Sequence, residues 1–352
     1  MSLKFLRPRH AVGLAGLALA APARAQSEPP GVSQAASTLP DLALILDVAG
    51  AYFSDDGGQT QTGGHDPNHT GFTLQALELA MGANADHVLR LDANVVFLPD
   101  EVELEEAYLT TLALPGGLQA RAGQFLTRFG RLNPTHPHAW SFVDQPLANG
   151  RFLGPEGSRG VGAELSWLTP LPWFVELVGS GTEVGGADPG DLLFTGALKQ
   201  FFPFTDDLSL LFGLSTRIEP DAAGEGNRAD VHGADLYLRW KPVGSADRMA
   251  VSWQTEYMYR RRQLPLDVLT DHGGYTQLVA QWSPRWETGL RAERVEPATR
   301  YSTALTFRPS HFSRLRLQGS LAEPHADPDA APVWATMLSL EVVVGPHGAH
   351  EF

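Results

Sequence analysis

No cysteine occurs among the 352 residues, which removes disulfide frameworks, thiolate nucleophiles and cysteine-ligated zinc. Basic charge is also scarce. The 26 Lys and Arg face 40 Asp and Glu for a net charge of −14, whereas a general nucleic-acid binder needs a basic face. No long apolar run follows residue 25 and the mean hydropathy is −0.14, so a bundle of membrane-crossing helices is excluded. The 36 Gly and 26 Pro are dispersed instead of gathered into a collagenous or disordered tract. Also missing are a G-x-S-x-G elbow, a recognisably spaced Ser/His/Asp set, a P-loop and a dinucleotide fingerprint. What survives is a soluble β-rich domain or a transmembrane β-barrel, in which hydrophobicity alternates instead of accumulating.

The N-terminus narrows the choice. Lys4, Arg7, Arg9 and His10 precede a short apolar run over 11–21, and Ala23-Arg24-Ala25 offers small residues where a signal peptidase reads. This pattern predicts a secretory signal peptide over 1–25, because the run is too short for a membrane anchor. Without the leader, 22 Lys and Arg remain against 40 acids, a net charge of −18 over 327 residues. A Pro/Ser/Ala-rich lead-in is predicted up to residue 40.

From residue 41 onward the dominant signal has period two, in segments of about ten residues. Val251, Trp253, Thr255, Tyr257 and Tyr259 share one parity and oppose Ser252, Gln254 and Glu256. Arg291 and Glu293 oppose Leu290 and Ala292, and Arg314, Arg316 and Gln318 oppose Leu315 and Leu317. Sixteen strand cores are predicted: 42–53, 71–82, 87–98, 101–114, 118–126, 161–168, 173–180, 192–202, 208–218, 231–241, 249–260, 274–282, 285–294, 300–308, 313–321 and 333–344. Around Glu105-Glu106 the parity switches, so 101–114 reads either as a bulged strand or as an amphipathic helix.

Connector lengths alternate. Tight links with Gly, Pro, Asn or Asp (83–86, 115–117, 169–172, 203–207, 242–248, 283–284, 309–312) interleave with mostly long polar ones (54–70, 127–160, 181–191, 219–230, 261–273, 322–332). Short turns on one rim and long loops on the other are the layout of an outer-membrane barrel. Aromatics near strand ends (Tyr52, Phe53, Trp167, Trp173, Phe201, Trp240, Trp253, Tyr259, Trp282, Trp286) fit interfacial girdles. Leu338, Leu340, Val342, Val344 and the terminal Phe352 share one parity, with Gly345-Pro346 interrupting it. The expected fold is therefore all-β: a transmembrane antiparallel up-and-down barrel over 41–352.

Two constellations carry chemistry. The 127–160 link holds Arg128, Arg131, Arg151 and Arg159 against Asp144 and Glu156, a net +2 in an acidic chain. With Arg121 one strand earlier, these form a candidate constriction for small anions, since the guanidinium fork suits phosphate and carboxylate. The alternative is ordinary arginines paired to lumenal acids. Histidines recur in short spacings, His65/His69, His136/His138 and His347/His350, a candidate zinc-ligating set, or else solvated loop residues. Glu103, Glu105 and Glu106 cluster as well; on a regular strand Glu105 and Glu106 face opposite sides, which points to lumenal charge or a calcium contact and not to paired catalysis.

Glu106-Ala-Tyr-Leu109 followed by Gly123-Gln-Phe-Leu-Thr-Arg-Phe-Gly130 resembles the phosphate-selective porin O/P family, with Leu126 where that family often has Lys and Arg128 where it often has Pro. Residues 131–140, 152–157 and the tail 345–352 resemble barrels labelled zinc-regulated outer-membrane receptors. The resemblance implies a Gram-negative outer-membrane protein whose last strand is read by the barrel-assembly machinery. It also implies diffusion of small polar or anionic solutes, phosphate among them, and a homotrimer in lipid. Zn2+ binding or transport is the alternative. A TonB-dependent receptor is excluded, since about 22 strands and a plug do not fit this length. Two other readings are weighed: an outer-membrane barrel protease or lipase, for which no polar triad can be assembled, and a secreted polysaccharide-binding β-protein with polar outward faces.

Overall fold

The computed structural model describes residues 40–57, 59–184, 191–221, 223–224, 226–245, 248–296, 298–324 and 331–345. The leader, nearly all of the lead-in, and His347, His350 and Phe352 lie outside them.

Sixteen antiparallel strands form one closed barrel. In chain order they are β1 (Asp41–Phe53), β2 (Gly71–Asn84), β3 (Leu89–Phe97), β4 (Val102–Thr111), β5 (Leu118–Leu126), β6 (Arg159–Leu168), β7 (Phe174–Glu183) and β8 (Leu192–Pro203). They continue as β9 (Leu208–Pro220), β10 (Arg228–Trp240), β11 (Ala250–Gln263), β12 (Val268–Gln281), β13 (Trp286–Val295), β14 (Ala298–Ser310), β15 (Ser313–Pro324) and β16 (Val333–Val344). Each strand pairs with its chain neighbours, and β1 closes on β16 with Asp47 opposite Glu341. Closure leaves no sheet edge, so the strands bond their backbone groups among themselves, as a lipid environment requires.

The period-two pattern now has a direction. One row across neighbouring strands runs Trp253, Leu278, Leu290 and Thr303, and Trp253, Leu278 and Leu290 are exposed on the outer surface. The adjacent row runs Gln254, Gln277, Arg291 and Ser302, all buried inside. Apolar residues face out and polar residues face in, the reverse of a soluble barrel and the mark of one that spans a membrane. No helix among the described residues is long and apolar enough to cross one.

Several boundaries differ from the expected ones, each for a local reason. The 101–114 segment holds no helix; β4 stops at Thr111, and the parity switch is a β-bulge opposite Asn94/Val95. The links expected at 219–230 and 261–273 shrink, because β9–β12 extend further. Ion pairs from Arg262 to Asp221 (2.7 Å) and from Arg260 to Asp271 (2.9 Å) hold those extensions in register. Eight of the ten end aromatics are exposed, but Phe53 turns inward and packs with Val143 and Met337. The last strand ends at Val344, before Gly345 at φ 103°, a backbone that favours glycine.

Candidate functional site

The longest link, 127–158, folds into the lumen. Its neck is stapled locally: Thr127 N donates to Ser158 O (2.8 Å), and the Asn133 side chain bonds Thr127 O (2.8 Å), Ser158 O (3.0 Å) and Ser158 N (2.7 Å). Gly130, at φ 60°, makes the inward bend. A short helix of about two turns follows, α1 (Leu147–Leu153), entered at Pro146 and left at Gly154, where proline and glycine suit start and stop. Phe129, Leu147, Ala148, Phe152 and Leu153 bury against Val231, Met258 and Val295 of the wall. The loop is therefore an ordered element with its own apolar footing, not a solvated strap.

Arginines on one side of the barrel grip its backbone. Arg314 donates to His138 O (2.6 Å) and Trp140 O (3.1 Å), Arg316 to Trp140 O (2.9 Å) and Phe142 O (2.8 Å). Arg291 reaches Asp144 O (3.0 Å), Arg300 reaches Gln145 O (2.9 Å), and Arg217 reaches Phe152 O (3.0 Å). Asp144 sits between Arg291 and Arg300, with Arg300 Nη1 at 2.9 Å from its carboxylate and the Gln318 amide donating at 2.8 Å. Burial opposes ionisation of Asp144, yet Arg300 and Arg291 outweigh it and hold the carboxyl at about 2.

The wall formed by β2–β4 is acidic, and two bulges build it. Gln75 is the extra residue of β2 opposite Asp47/Val48, and Glu105 is the extra residue of β4. An extra residue resets the alternation, so Glu105 and Glu106 both face the lumen, contrary to the regular-strand expectation. They clasp one ring: His136 Nδ1 lies 2.9 Å from Glu105 Oε2, and Nε2 lies 2.9 Å from Glu106 Oε2. His138 stacks on His136 and meets Glu78 at 2.8 Å. His65, from the 54–70 loop, bonds Gln75 O through Nδ1 (2.9 Å), while Nε2 faces Glu156 (3.1 Å), Glu103 (3.6 Å) and Glu105 (3.8 Å). Burial alone would lower the His65 pKa, but the Glu103 and Glu156 carboxylates push it up to about 11. Burial of His136 is likewise outweighed by Glu105 and Glu106, which raise it well above the usual value.

The other expected residues are placed as follows. Arg121 pairs in bidentate fashion with Glu164 (2.9 and 2.9 Å) beneath Tyr108 and Phe125. Arg128 meets Glu176 (2.7 Å) and Glu164 (3.2 Å), Arg151 meets Asp271 (3.0 Å), and Arg159, which begins β6, meets Glu103. Arg131 differs: it lies over the Tyr237 ring at 3.7 Å and has no ion-pair partner among the described residues. With Arg291, Gln254 and Gln277 it lines a cavity of about 80 Å³. His69 is exposed and bonds only its neighbour Asn68 (3.0 Å). Arg291, Arg314 and Arg316 were legible as the polar parity of their strands, but not as grips on a distant loop, and Arg300 was not singled out.

Asp66 ties the two loops together, accepting from Gly63 N (2.8 Å) and Gln145 N (2.9 Å). Burial, and then Asp144, pushes its carboxyl up to about 7. The folded state therefore binds this proton more tightly than the unfolded chain, so its contribution to stability falls as pH rises from about 4 to about 7. The effect is on the order of a few kcal/mol. In Asp66→Asn, thermal unfolding measured across that window should lose this part of the slope; an unchanged slope would remove Asp66 from the account.

No protein-family model matches the chain. A protein of Aquifex aeolicus (strain VF5), described as uncharacterized, is 29% identical over an alignment of 380 positions that covers 89% of this chain and 80% of that one. Among solved structures, an anion-selective porin from Comamonas acidovorans superposes at a TM-score of 0.61 with 11% identity, over 87% of this chain and all but 1% of its own (99%). OmpT of Vibrio cholerae, an outer-membrane protein, gives 0.57 at 8% identity over 87% and 97% of the two chains. OprB of Pseudomonas putida gives 0.56 at 11% over 87% and 94%. The chain shares the sixteen-stranded barrel with outer-membrane porins. At these identities the likeness is one of fold.

Proposed function

We propose that the protein is an outer-membrane diffusion channel for small polar solutes, with anions preferred. The observation that carries this reading is the 127–158 loop, ordered inside the lumen and fastened to strands β2, β4, β9 and β13–β15 of the wall. A barrel of this size otherwise leaves a wide water-filled passage, and an inward loop narrows it to a selective constriction. The anion preference rests on Arg131, whose guanidinium has no carboxylate partner among the described residues and lines one cavity with Arg291, Gln254, Gln277 and Asp144, the last already held by Arg291 and Arg300. The anion-selective porin of the same fold and the likeness of the 106–130 region to phosphate-selective porins point the same way. The apolar outer belt and the leader-like N-terminus support an outer-membrane location, and a homotrimer fits the same architecture.

Reversal potentials in a salt gradient across a planar bilayer test the preference. Wild-type channels should select for chloride over potassium, and Arg131→Ala should shift the reversal potential toward zero. Cation selectivity in the wild type, or an unchanged potential in the variant, would overturn the assignment.

A further inference from the structure

The acidic wall holds a cluster that solute diffusion does not use. His65 Nε2 and one carboxylate oxygen each from Glu103, Glu105 and Glu156 all lie within 4.8 Å of one another. They come from three separate segments: the 54–70 loop, bulged strand β4 and the 127–158 loop. We propose that these four residues form a site for a divalent first-row transition cation, which latches both loops to the barrel wall. The inference goes beyond the channel reading, because the site stands whether or not the barrel conducts.

Donor spacing is the first argument. The three carboxylate oxygens stand 3.1, 3.6 and 3.8 Å from Nε2. Metal–N and metal–O bonds of about 2.0–2.2 Å in a tetrahedral site set donors about 3.3–3.6 Å apart. The three edges from Nε2 are thus near those of one coordination shell, and the remaining ones are at most 4.8 Å before any ion draws the donors together.

Orientation is the second. His65 Nδ1 is 2.9 Å from the Gln75 carbonyl, and an N–H donated there aims Nε2 at the carboxylates, where a bound cation takes the place of the Nε2 proton. A backbone carbonyl on the far nitrogen is the usual support of a metal-binding imidazole. The carboxylates are braced too: Glu103 by Arg159, and the second oxygen of Glu105 by His136 at 2.9 Å.

The third observation is independent of the cluster's own bonds. Gln75 is 3% exposed and its side-chain Oε1 has no hydrogen-bond partner. It lines the same cavity of about 40 Å³ as His65, Glu105 and Glu156. A buried amide oxygen without a donor costs free energy, and an ion or its bound water in that cavity supplies what it lacks.

Charge and chemistry select the class. Once the ion has displaced the Nε2 proton of His65, three carboxylates against Arg159 leave two negative charges, which one divalent ion neutralises. An imidazole nitrogen among carboxylate oxygens suits ions of the zinc and manganese type; an all-oxygen shell would suit Ca2+ or Mg2+, and thiolates or thioethers would suit Cu(I). Glu156, with its side chain 31% exposed, leaves a way in from solvent.

The test is calorimetric titration of Zn2+ into the chelator-treated, folded barrel at neutral pH. One saturable site is expected, with Ca2+ and Mg2+ failing to compete. His65→Ala and Glu156→Gln should each weaken binding by at least tenfold to a hundredfold, while His69→Ala binds as wild type does. Zn2+ should also slow protease cleavage of the 54–70 and 127–158 loops in wild type and not in Glu156→Gln. Glu156→Gln changes a partly exposed loop residue, so its folding, read by gel mobility with and without heating, is preserved even if His65→Ala does not fold. Absence of saturable Zn2+ binding in wild type, wild-type affinity in Glu156→Gln, or equal affinity for Ca2+ would each overturn the proposal.

Discussion

Replacing Arg300 with Met should loosen the 127–158 loop by about 3–5 kcal/mol, the usual cost of removing one partner from a buried ion pair. Arg300 is fully buried. Its Nη1 lies 2.9 Å from Asp144, its Nε 2.6 Å from Glu293, and its Nη2 donates to Gln145 O at 2.9 Å. Without it, two buried carboxylates share Arg291, which already touches both, and a loop carbonyl loses its donor. Neither carboxylate can move to water, since Asp144 and Glu293 have essentially no side-chain exposure. The loss should appear as faster proteolysis within 127–158 in the folded barrel and as noisier open-channel current. Adding Glu293→Gln should recover part of it, by removing one of the stranded charges. Arg300→Lys should not restore wild-type behaviour, because an ammonium cannot serve three acceptors in the planar geometry of a guanidinium. Cleavage at the wild-type rate in Arg300→Met would show that the loop does not depend on this grip.

The second large effect tests the outer surface. Leu290 is 55% exposed in mid-strand β13, between Leu278 of β12 and Thr303 of β14. Changing it to Arg should cost about 2–4 kcal/mol of folding stability in lipid vesicles, the penalty for a guanidinium near the bilayer midplane. On a water-facing barrel the same change stays within about 0.5 kcal/mol. Denaturant titration of the vesicle-folded protein reads the difference. A cost near zero would mean that this face does not meet lipid.

How much of this was legible in the sequence follows from which interactions are local. Alternation is a property of each strand by itself, so the sixteen strands and the separation of Trp253 and Leu290 from Arg291 and Arg316 could be read from parity, whereas which face turns outward depends on how the strands close into a barrel. The 127–160 link stood out by its length and its charge. Bulges were not legible in the same way, because an extra residue is defined only against the register of the partner strand. Glu105 faces inward beside Glu106 because β3 skips a partner at Asn94/Val95, and Gln75 is displaced by β1 at Asp47/Val48. The acidic wall is therefore a product of pairing, and the short His spacings marked it only in part: His136, His138 and His65 belong to it and His69 does not. Phe53 was read as a girdle residue because strand-end position carries no information about face; its parity, shared with Ala49, did. The arginine grip spans 147 residues from Asp144 to Arg291, a separation at which no sequence pattern points from one residue to the other.

The central claim is that the barrel is a water-filled passage narrowed by an ordered inward loop. Single-channel recording of the wild-type protein in planar bilayers tests it most directly. Discrete, stable conductance steps are expected, and they should grow when the loop is freed by Arg300→Met. Correctly folded, membrane-inserted protein that gives no steps, with or without that substitution, would contradict it.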